Sequence, residues 1–196
     1  MIVPVESSFQ KVSRPVEIRP LSLSRRNVFS DLATRAGRER QGRFLLEGPR
    51  AIADALDRGS RFEALVVDDG GSRVLHQWRD EGRLPADVAL YRVEQPDLAA
   101  LADTTTPQGM LAIARLPERT LAALPAPSAR VALLADGIQD PGNLGTLLRT
   151  LAAAGGEIAL CCRGTVDPWN PKALRAAAGA TFGLSVAAGV EPADAL

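Results

Sequence analysis

The sequence predicts an α/β fold in two unequal parts, and three observations carry that prediction. Short apolar runs alternate with segments of helical periodicity along most of the chain. A Pro- and Ala-rich stretch, residues 116–129, interrupts the alternation and reads as a linker. Beyond it, apolar runs at Val131–Ala135, Glu157–Cys162 and Leu184–Ala187 alternate with helical patterns at Leu144–Ala154 and Pro171–Ala178. Strand–helix–strand–helix–strand implies a parallel sheet with right-handed crossovers.

The elements follow in order. Residues 1–23 mix Pro, Ser and charge without periodicity and read as a flexible tail. A basic helix is expected over residues 24–39, with Ser24 as its cap and Val28, Leu32 and Arg35 on neighbouring turns. Arg25, Arg26, Arg35, Arg38, Arg40 and Arg43 cluster on this helix and the turn after it. Residues 40–115 then read as a small α/β/α domain. Its strands are Phe44–Leu46, Phe62–Val67, Val88–Tyr91 and Met110–Arg115; its helices run through Ala51–Leu56, Val74–Glu81 and Gln95–Ala102. Residues 130–196 form the second part, and Pro171 is suited to open its second helix, where a missing N–H does no harm.

Composition narrows the function classes. With 46% hydrophobic and only 4% aromatic residues, the core is filled by Ala, Leu and Val. No apolar run is long enough to span a bilayer, and no signal peptide opens the chain, so no membrane partner is expected and the cytoplasm is the expected compartment. Formal net charge is zero, yet residues 1–50 carry Lys11 and nine Arg against five acidic groups. Arginine's planar fork suits bidentate phosphate contact better than lysine's point charge. A solvated basic segment and a nucleic-acid contact are both open on charge alone. Adjacent Cys161 and Cys162 lie in an apolar run and read as core filling, with no metal site expected. His76 reads as an ordinary helix-surface residue.

The densest signal is Asp136-Gly-Ile-Gln-Asp-Pro-Gly-Asn-Leu-Gly-Thr-Leu-Leu-Arg149. An apolar run enters it and a helical pattern leaves it, so it is read as a strand, a Gly/Pro turn and a helix start at the carboxyl edge of a sheet, where ligands of open α/β folds bind. Asn143 is expected as the helix cap, and Gly142 and Gly145 as positions of positive φ or close backbone approach. Arg149 is expected to project near the same end. Such a turn favours an anionic or phosphate-bearing ligand at the helix N-terminus. Gly-x-Gly-x-x-Gly and Gly-Lys-Ser/Thr are absent, which argues against dinucleotide and P-loop chemistry.

Asn143-x-Gly145-x-x-x-Arg149 within Asp-Pro-Gly-Asn-Leu-Gly-Thr resembles the first motif of the SpoU (TrmH-like) RNA ribose 2′-O-methyltransferases. Thr165-Val-Asp-Pro-Trp-Asn-Pro-Lys-Ala-Leu-Arg-Ala-Ala-Ala-Gly-Ala180 continues the likeness, with Ala176-Ala-Ala178 where the family commonly has an Ala-Ser-small run. Gly42-Arg-Phe-Leu-Leu-Glu-Gly-Pro-Arg50 and Thr106-Pro-Gln-Gly-Met110 resemble the two ends of its substrate-binding domain. The resemblance implies a small α/β/α substrate-binding domain followed by a partial parallel-sheet catalytic domain of the SPOUT, or trefoil-knot, type. It implies methyl transfer from S-adenosylmethionine to a ribose 2′-hydroxyl of ribosomal or transfer RNA, by a homodimer. Asn143 would organise the catalytic turn and Arg149 would engage the target nucleotide. Arg43, Glu47, Arg50, Thr106 and Gln108 are the expected RNA-binding residues.

The family's second motif, of Gly-x-Glu-x-Gly type, and its third, of Ser-Leu-Asn-Val-Ser type, do not occur in these residues. The expectation is therefore a C-terminally incomplete catalytic domain, from a gene fragment or an incomplete reading frame, with cofactor-binding residues unassigned. The alternative is a non-catalytic protein that binds structured RNA and has lost the knot.

Overall fold

The computed structural model describes residues 17–102, 104, 106–124 and 131–195. Most of the expected tail, residues 1–16, and residues 125–129 of the expected linker lie outside the described residues.

The first part is a five-stranded mixed sheet with strands in the order β1-β4-β3-β5-β2. The strands are β1 (Ile18–Pro20), β2 (Arg43–Glu47), β3 (Phe62–Val67), β4 (Ala89–Arg92) and β5 (Met110–Arg115). β1, β4 and β3 run parallel, while β5 is antiparallel to both β3 and β2. Successive side chains of a strand point to opposite faces, and the burial follows that rule. Phe44, Leu46, Leu65 and Val67 join one apolar cluster; Leu45, Val66 and Tyr91 join the other. Helices α3 (Pro49–Asp57) and α4 (Asp69–Asp80) cover the first face through Ile52, Ala55, Leu75 and Trp78. Helices α1 (Leu23–Ala33) and α5 (Gln95–Ala102) cover the second through Phe29, Leu32 and Leu98. The arrangement is the expected α/β/α sandwich.

Two local differences from the sequence reading have clear causes. Residues 18–20, expected within the tail, form the edge strand β1 beside β4, pairing Ile18 with Leu90. Three residues ending in Pro are too short to show alternation, and only an edge position tolerates that Pro. The single helix expected over residues 24–39 is two, α1 and α2 (Arg35–Gln41), divided at Thr34. Thr34 is extended (φ −91°, ψ 149°); its hydroxyl donates to the Asp31 carbonyl at 2.9 Å and accepts from the Gly37 N–H at 3.0 Å. Gly37 is required there, because a Cβ would sit 2.0 Å from the Asp31 carbonyl oxygen.

The second part is a three-stranded parallel sheet in the order β6-β7-β8: β6 (Ala132–Ala135), β7 (Ile158–Cys162) and β8 (Ser185–Val190). Helices α6 (Pro141–Ala153) and α7 (Pro171–Ala177) bury Leu144, Leu148, Leu151 and Ala177 against one face, with Ala159, Cys161 and Val186. Pro171 opens α7 as expected, and the Asn170 carboxamide oxygen accepts from the Lys172 N–H at 2.8 Å. At β6, Val131 and Leu134 stay 43% and 42% exposed. Among the described residues no helix is long and apolar enough to cross a membrane.

The two parts are fused rather than strung together. Trp169 and Leu174 enter the apolar cluster of the first sheet with Phe44 and Leu46. The Arg38 Nε donates to Asp167 at 2.7 Å, with the two side chains only 1% and 2% exposed. Arg38 Nη1 also donates to the Leu32 and Ala33 carbonyls, and the Trp169 N–H donates to the other Asp167 oxygen. The segment expected as a linker is strapped down where it is described: Arg119 reaches Asp167 at 3.4 Å, and the Arg119 carbonyl accepts from the Ala188 N–H at 3.0 Å.

Removing one partner of a buried pair leaves the other charge uncompensated. Asp167→Ala is therefore expected to lower stability by roughly 3–5 kcal/mol in urea denaturation. The double change Arg38→Met with Asp167→Leu should restore much of that loss. A single variant as stable as the parent would show that the pair is not holding the two parts together.

Candidate functional site

The carboxyl end of β6 leads at once into the turn Asp136–Asp140 and the first turn of α6. Gly137 turns the chain at φ +66°, a conformation glycine adopts without a Cβ penalty. Asp140 caps α6: its carboxylate accepts from the Asn143 N–H at 2.8 Å, and Pro141 follows at the first helical position. The cap is thus Asp140 and not Asn143, which lies in the first turn with its side chain exposed. Pro141 explains the shift, because a proline is best placed directly after the cap. With the Asp140 carboxylate already on the helix end and Asp136 exposed beside it, the helix N-terminus is not the open anion site that the turn alone suggested.

A second loop clamps this turn from β7. The Thr165 hydroxyl donates to the Ala135 carbonyl at 3.0 Å, and the Val166 N–H donates to the Ile138 carbonyl at 2.7 Å. Asp167 follows, held by Arg38. The turn is thereby referenced to the N-terminal helices through three consecutive residues.

Gly145 serves close approach, one of the two uses its position allowed. A Cβ there would lie 2.3 Å from the Ala173 carbonyl oxygen and 2.6 Å from the Ala176 Cβ. Its absence lets α6 and α7 cross backbone to backbone. Gly142 has no such neighbour; a Cβ there would meet only the Asp140 carboxylate, at 3.0 Å.

Arg149 is exposed and makes no ion pair or hydrogen bond among the described residues. Six residues of helix separate it from Asn143 by about 9 Å along the axis and by roughly two thirds of a turn. Within α6 the two residues therefore sit on different faces, and α6 does not bring them to one end.

The expected RNA-binding residues fall into two groups on opposite edges of the first sheet. Arg43, at the start of β2, pairs with Glu63 at 2.7 Å, and Glu63 also pairs with Arg115 at 2.8 Å. At the other end of β2, Glu47 is buried: it accepts from Arg175 of α7 at 3.0 Å and from the Thr104 hydroxyl at 3.1 Å. Glu47 thus ties the two parts together and is not a surface available to RNA. Arg50, Thr106 and Gln108 remain exposed on that edge. The Gln108 carboxamide lies over Gly48, which has φ +90° and where a Cβ would be 2.3 Å from Oε1. The sequence reading missed Arg38, Asp167 and Arg175 as organising residues; Asp167 and Arg175 both lay inside the Thr165–Ala180 run that carried the resemblance.

Burial pushes the Cys161 thiol up to about 12 and raises Cys162 as well, and His76 is exposed on α4. Among the described residues no group of His, Cys, Asp and Glu is placed to hold a metal ion.

Comparison with known proteins places this geometry. Residues 28–112 match the MRM3-like substrate binding domain, and residues 130–196 match the SpoU rRNA Methylase family. A solved RNA 2′-O ribose methyltransferase superposes with a TM-score of 0.72 at 34% identity, over 91% of this chain and 67% of that one. The chain belongs to the SpoU rRNA methylase family. An AdoMet-bound rRNA methyltransferase from Sinorhizobium meliloti aligns at 25% identity and TM-score 0.73, over 90% of this chain and 65% of that one. The mitochondrial rRNA methyltransferase 3A of Danio rerio is 38% identical over 81% of this chain. The chain spans only 37% of that curated relative's length. Within this SpoU chain, the boundary between the two matches falls in the strapped segment before β6.

Gly145→Ala should force α6 and α7 apart and lower stability by about 1–3 kcal/mol, the usual cost of overpacking. Gly142→Ala is the control and should be close to neutral; equal thermal midpoints for the two variants would remove the helix crossing as the reason for Gly145. Alkylation provides a second check, since only the thiolate reacts readily. Native protein near pH 8 should resist iodoacetamide at both cysteines, and unfolded protein should take up label at both. Rapid labelling of the folded chain would contradict the buried β7.

Proposed function

We propose that this chain forms the RNA-binding part and the first catalytic motif of an S-adenosylmethionine-dependent methyltransferase that modifies a ribose 2′-hydroxyl of ribosomal RNA. The observation that carries the reading is Arg149, an unpaired, exposed guanidinium one turn beyond the Gly145 crossing, on a helix whose start is clamped by the Thr165–Asp167 loop. Kinship to proteins named as rRNA and RNA 2′-O ribose methyltransferases supports the choice of substrate.

Arg149 does not act as a simple base. A guanidinium stays protonated near neutrality and offers no lone pair. It stabilises the developing 2′-alkoxide, or holds the neighbouring phosphate whose oxygen takes the proton. S-adenosylmethionine, when bound, would supply the methyl from its sulfonium, whose S–C bond breaks to leave a neutral thioether. The carboxyl edge of β6 fits a positively charged donor, because exposed Asp136 and the Asp140 cap place two carboxylates there. Transfer requires the 2′-oxygen in line with the methyl, so the rigid turn contributes mainly by positioning. Transfer RNA as an alternative substrate, a homodimer and a cytoplasmic location belong to the same proposal; the exposed Val131 and Leu134 of the β6 region support an association surface.

The test is methyl transfer by the full gene product carrying this sequence, using labelled cofactor and ribosomal RNA. Labelled 2′-O-methyl nucleosides are expected. Arg149→Lys should cut the rate by about 100-fold, the usual effect of removing one charge-stabilising contact in a transition state, while cofactor affinity holds. Near-normal transfer by that variant would remove Arg149 from the mechanism. RNA binding with no transfer by the parent would favour the non-catalytic reading.

A further inference from the structure

Between the two parts, on the side away from the Asp136–Asn143 turn, lies an open cleft of about 530 Å³. Its first wall is the end of α3 with Arg58 and Arg61, and the end of β5 with Arg115. Its second wall is the single turn of 3₁₀-helix at Ala180–Gly183 and the start of β8. The strands β6–β8 are parallel, so the start of β8 and the turn after β6 are at opposite edges of that sheet. The cleft is therefore separate from the Asp136–Asn143 turn, and Arg149 is not among its lining residues.

We propose that this cleft is a second RNA-contacting site, which grips the phosphodiester backbone of the substrate RNA at nucleotides away from the one that is methylated. The inference rests on the proposed RNA substrate and adds where else that RNA is held. Charge points to an anionic chain. Arg58 and Arg61 are exposed and make no ion pair among the described residues. Arg115 shares the single carboxylate of Glu63 with Arg43, so that edge keeps a positive excess. Among the described residues, Glu118 is the one carboxylate in the cleft lining.

Shape and chemistry of the floor point the same way. Phe182, half-buried, lies over Phe44 and Trp169 at centroid distances of 6.1 Å, and offers an aromatic face where a base can stack. The Trp169 Nε1 and the Thr181 hydroxyl, both buried beneath that wall, have no hydrogen-bond partner among the described residues. An open cleft also lets a polymer pass, where an enclosed cavity would select a small molecule.

The experiment uses the 196-residue chain and a fluorescent fragment of structured ribosomal RNA in anisotropy titrations over a salt series. Arg58→Ala with Arg61→Ala is expected to weaken binding about tenfold or more and to flatten the log–log salt slope by roughly 1.5, as for the loss of two phosphate contacts. Arg73→Ala, an exposed arginine on α4, is the control and should leave both quantities unchanged. A parent chain that binds no RNA overturns both this inference and the proposed substrate. Parent binding that the double variant leaves intact in affinity and slope overturns the cleft alone. Crosslinking of 4-thiouridine RNA to the parent protein gives a readout independent of variant folding. Crosslinks at residues 58–61 or 181–186 support the cleft, and crosslinks confined to other segments overturn it.

Discussion

The buried Arg38–Asp167 ion pair is the interaction on which the rest of the structure depends. Arg38 belongs to a short helix at the start of the chain, and Asp167 to a loop between β7 and α7. Burying two charges costs desolvation that the Coulomb attraction repays only with good geometry and extra hydrogen bonds. Both conditions are met. The guanidinium also donates to the Leu32 and Ala33 carbonyls, and the carboxylate also accepts from the Trp169 N–H and approaches Arg119. A buried pair of this kind is weak evidence for stability but a strong determinant of register. Exchanging it for an apolar pair would keep much of the stability, whereas breaking it would release the loop that clamps the Asp136–Asp140 turn.

That dependence ties the geometry of the turn in the second part to the helices of the first. Thr165, Val166 and Asp167 are consecutive, and they hold the end of β6, the turn at Ile138 and helix α2 respectively. The turn and α2 are therefore linked through three consecutive residues. On the far side of the interface, Glu47 and Arg175 add a second tie, so α7 is anchored to β2 at its end. Because α6 packs on α7 at Gly145, the orientation of Arg149 follows from the same interface.

Much of this was legible in the sequence because local pattern and final structure agree. β3, α5 and β5 run over the residues their apolar periodicity marks, and the Asp-Pro-Gly-Asn turn lies at the strand–helix junction. What was not legible depends on distance in the chain. The break at Thr34 is the exception: it is local, set by the Thr34 cap and by Gly37 packing on Asp31, and the apolar periodicity running through it hid it. The β1 strand exists only because β4 offers it an edge. Glu47 read as a surface ligand because its partner, Arg175, is 128 residues away. Asn143 read as a cap because Asp and Asn are equivalent caps by type, and only Pro141 separates them by position.

The arginine excess shows why charge counting alone misleads about an RNA interface. Residues 1–50 are rich in arginine, yet most of those described are already paired: Arg19 with Glu17, Arg26 with Asp97, Arg35 with Glu39, Arg38 with Asp167, Arg40 with Asp31 and Arg43 with Glu63. Arg25 stacks over Tyr91 at 4.9 Å. A paired guanidinium must surrender its carboxylate before it can take a phosphate, and so contributes less to binding than its formal charge suggests. Exposed cations without an ion pair among the described residues include Arg50, Arg58, Arg61, Arg73, Arg149 and Lys172, most of them later in the sequence and spread over both parts. An interface drawn through Arg58, Arg61 and Arg149 runs across both parts instead of along the basic N-terminal helix. RNA held that way would bridge the same junction that the Arg38–Asp167 pair holds rigid.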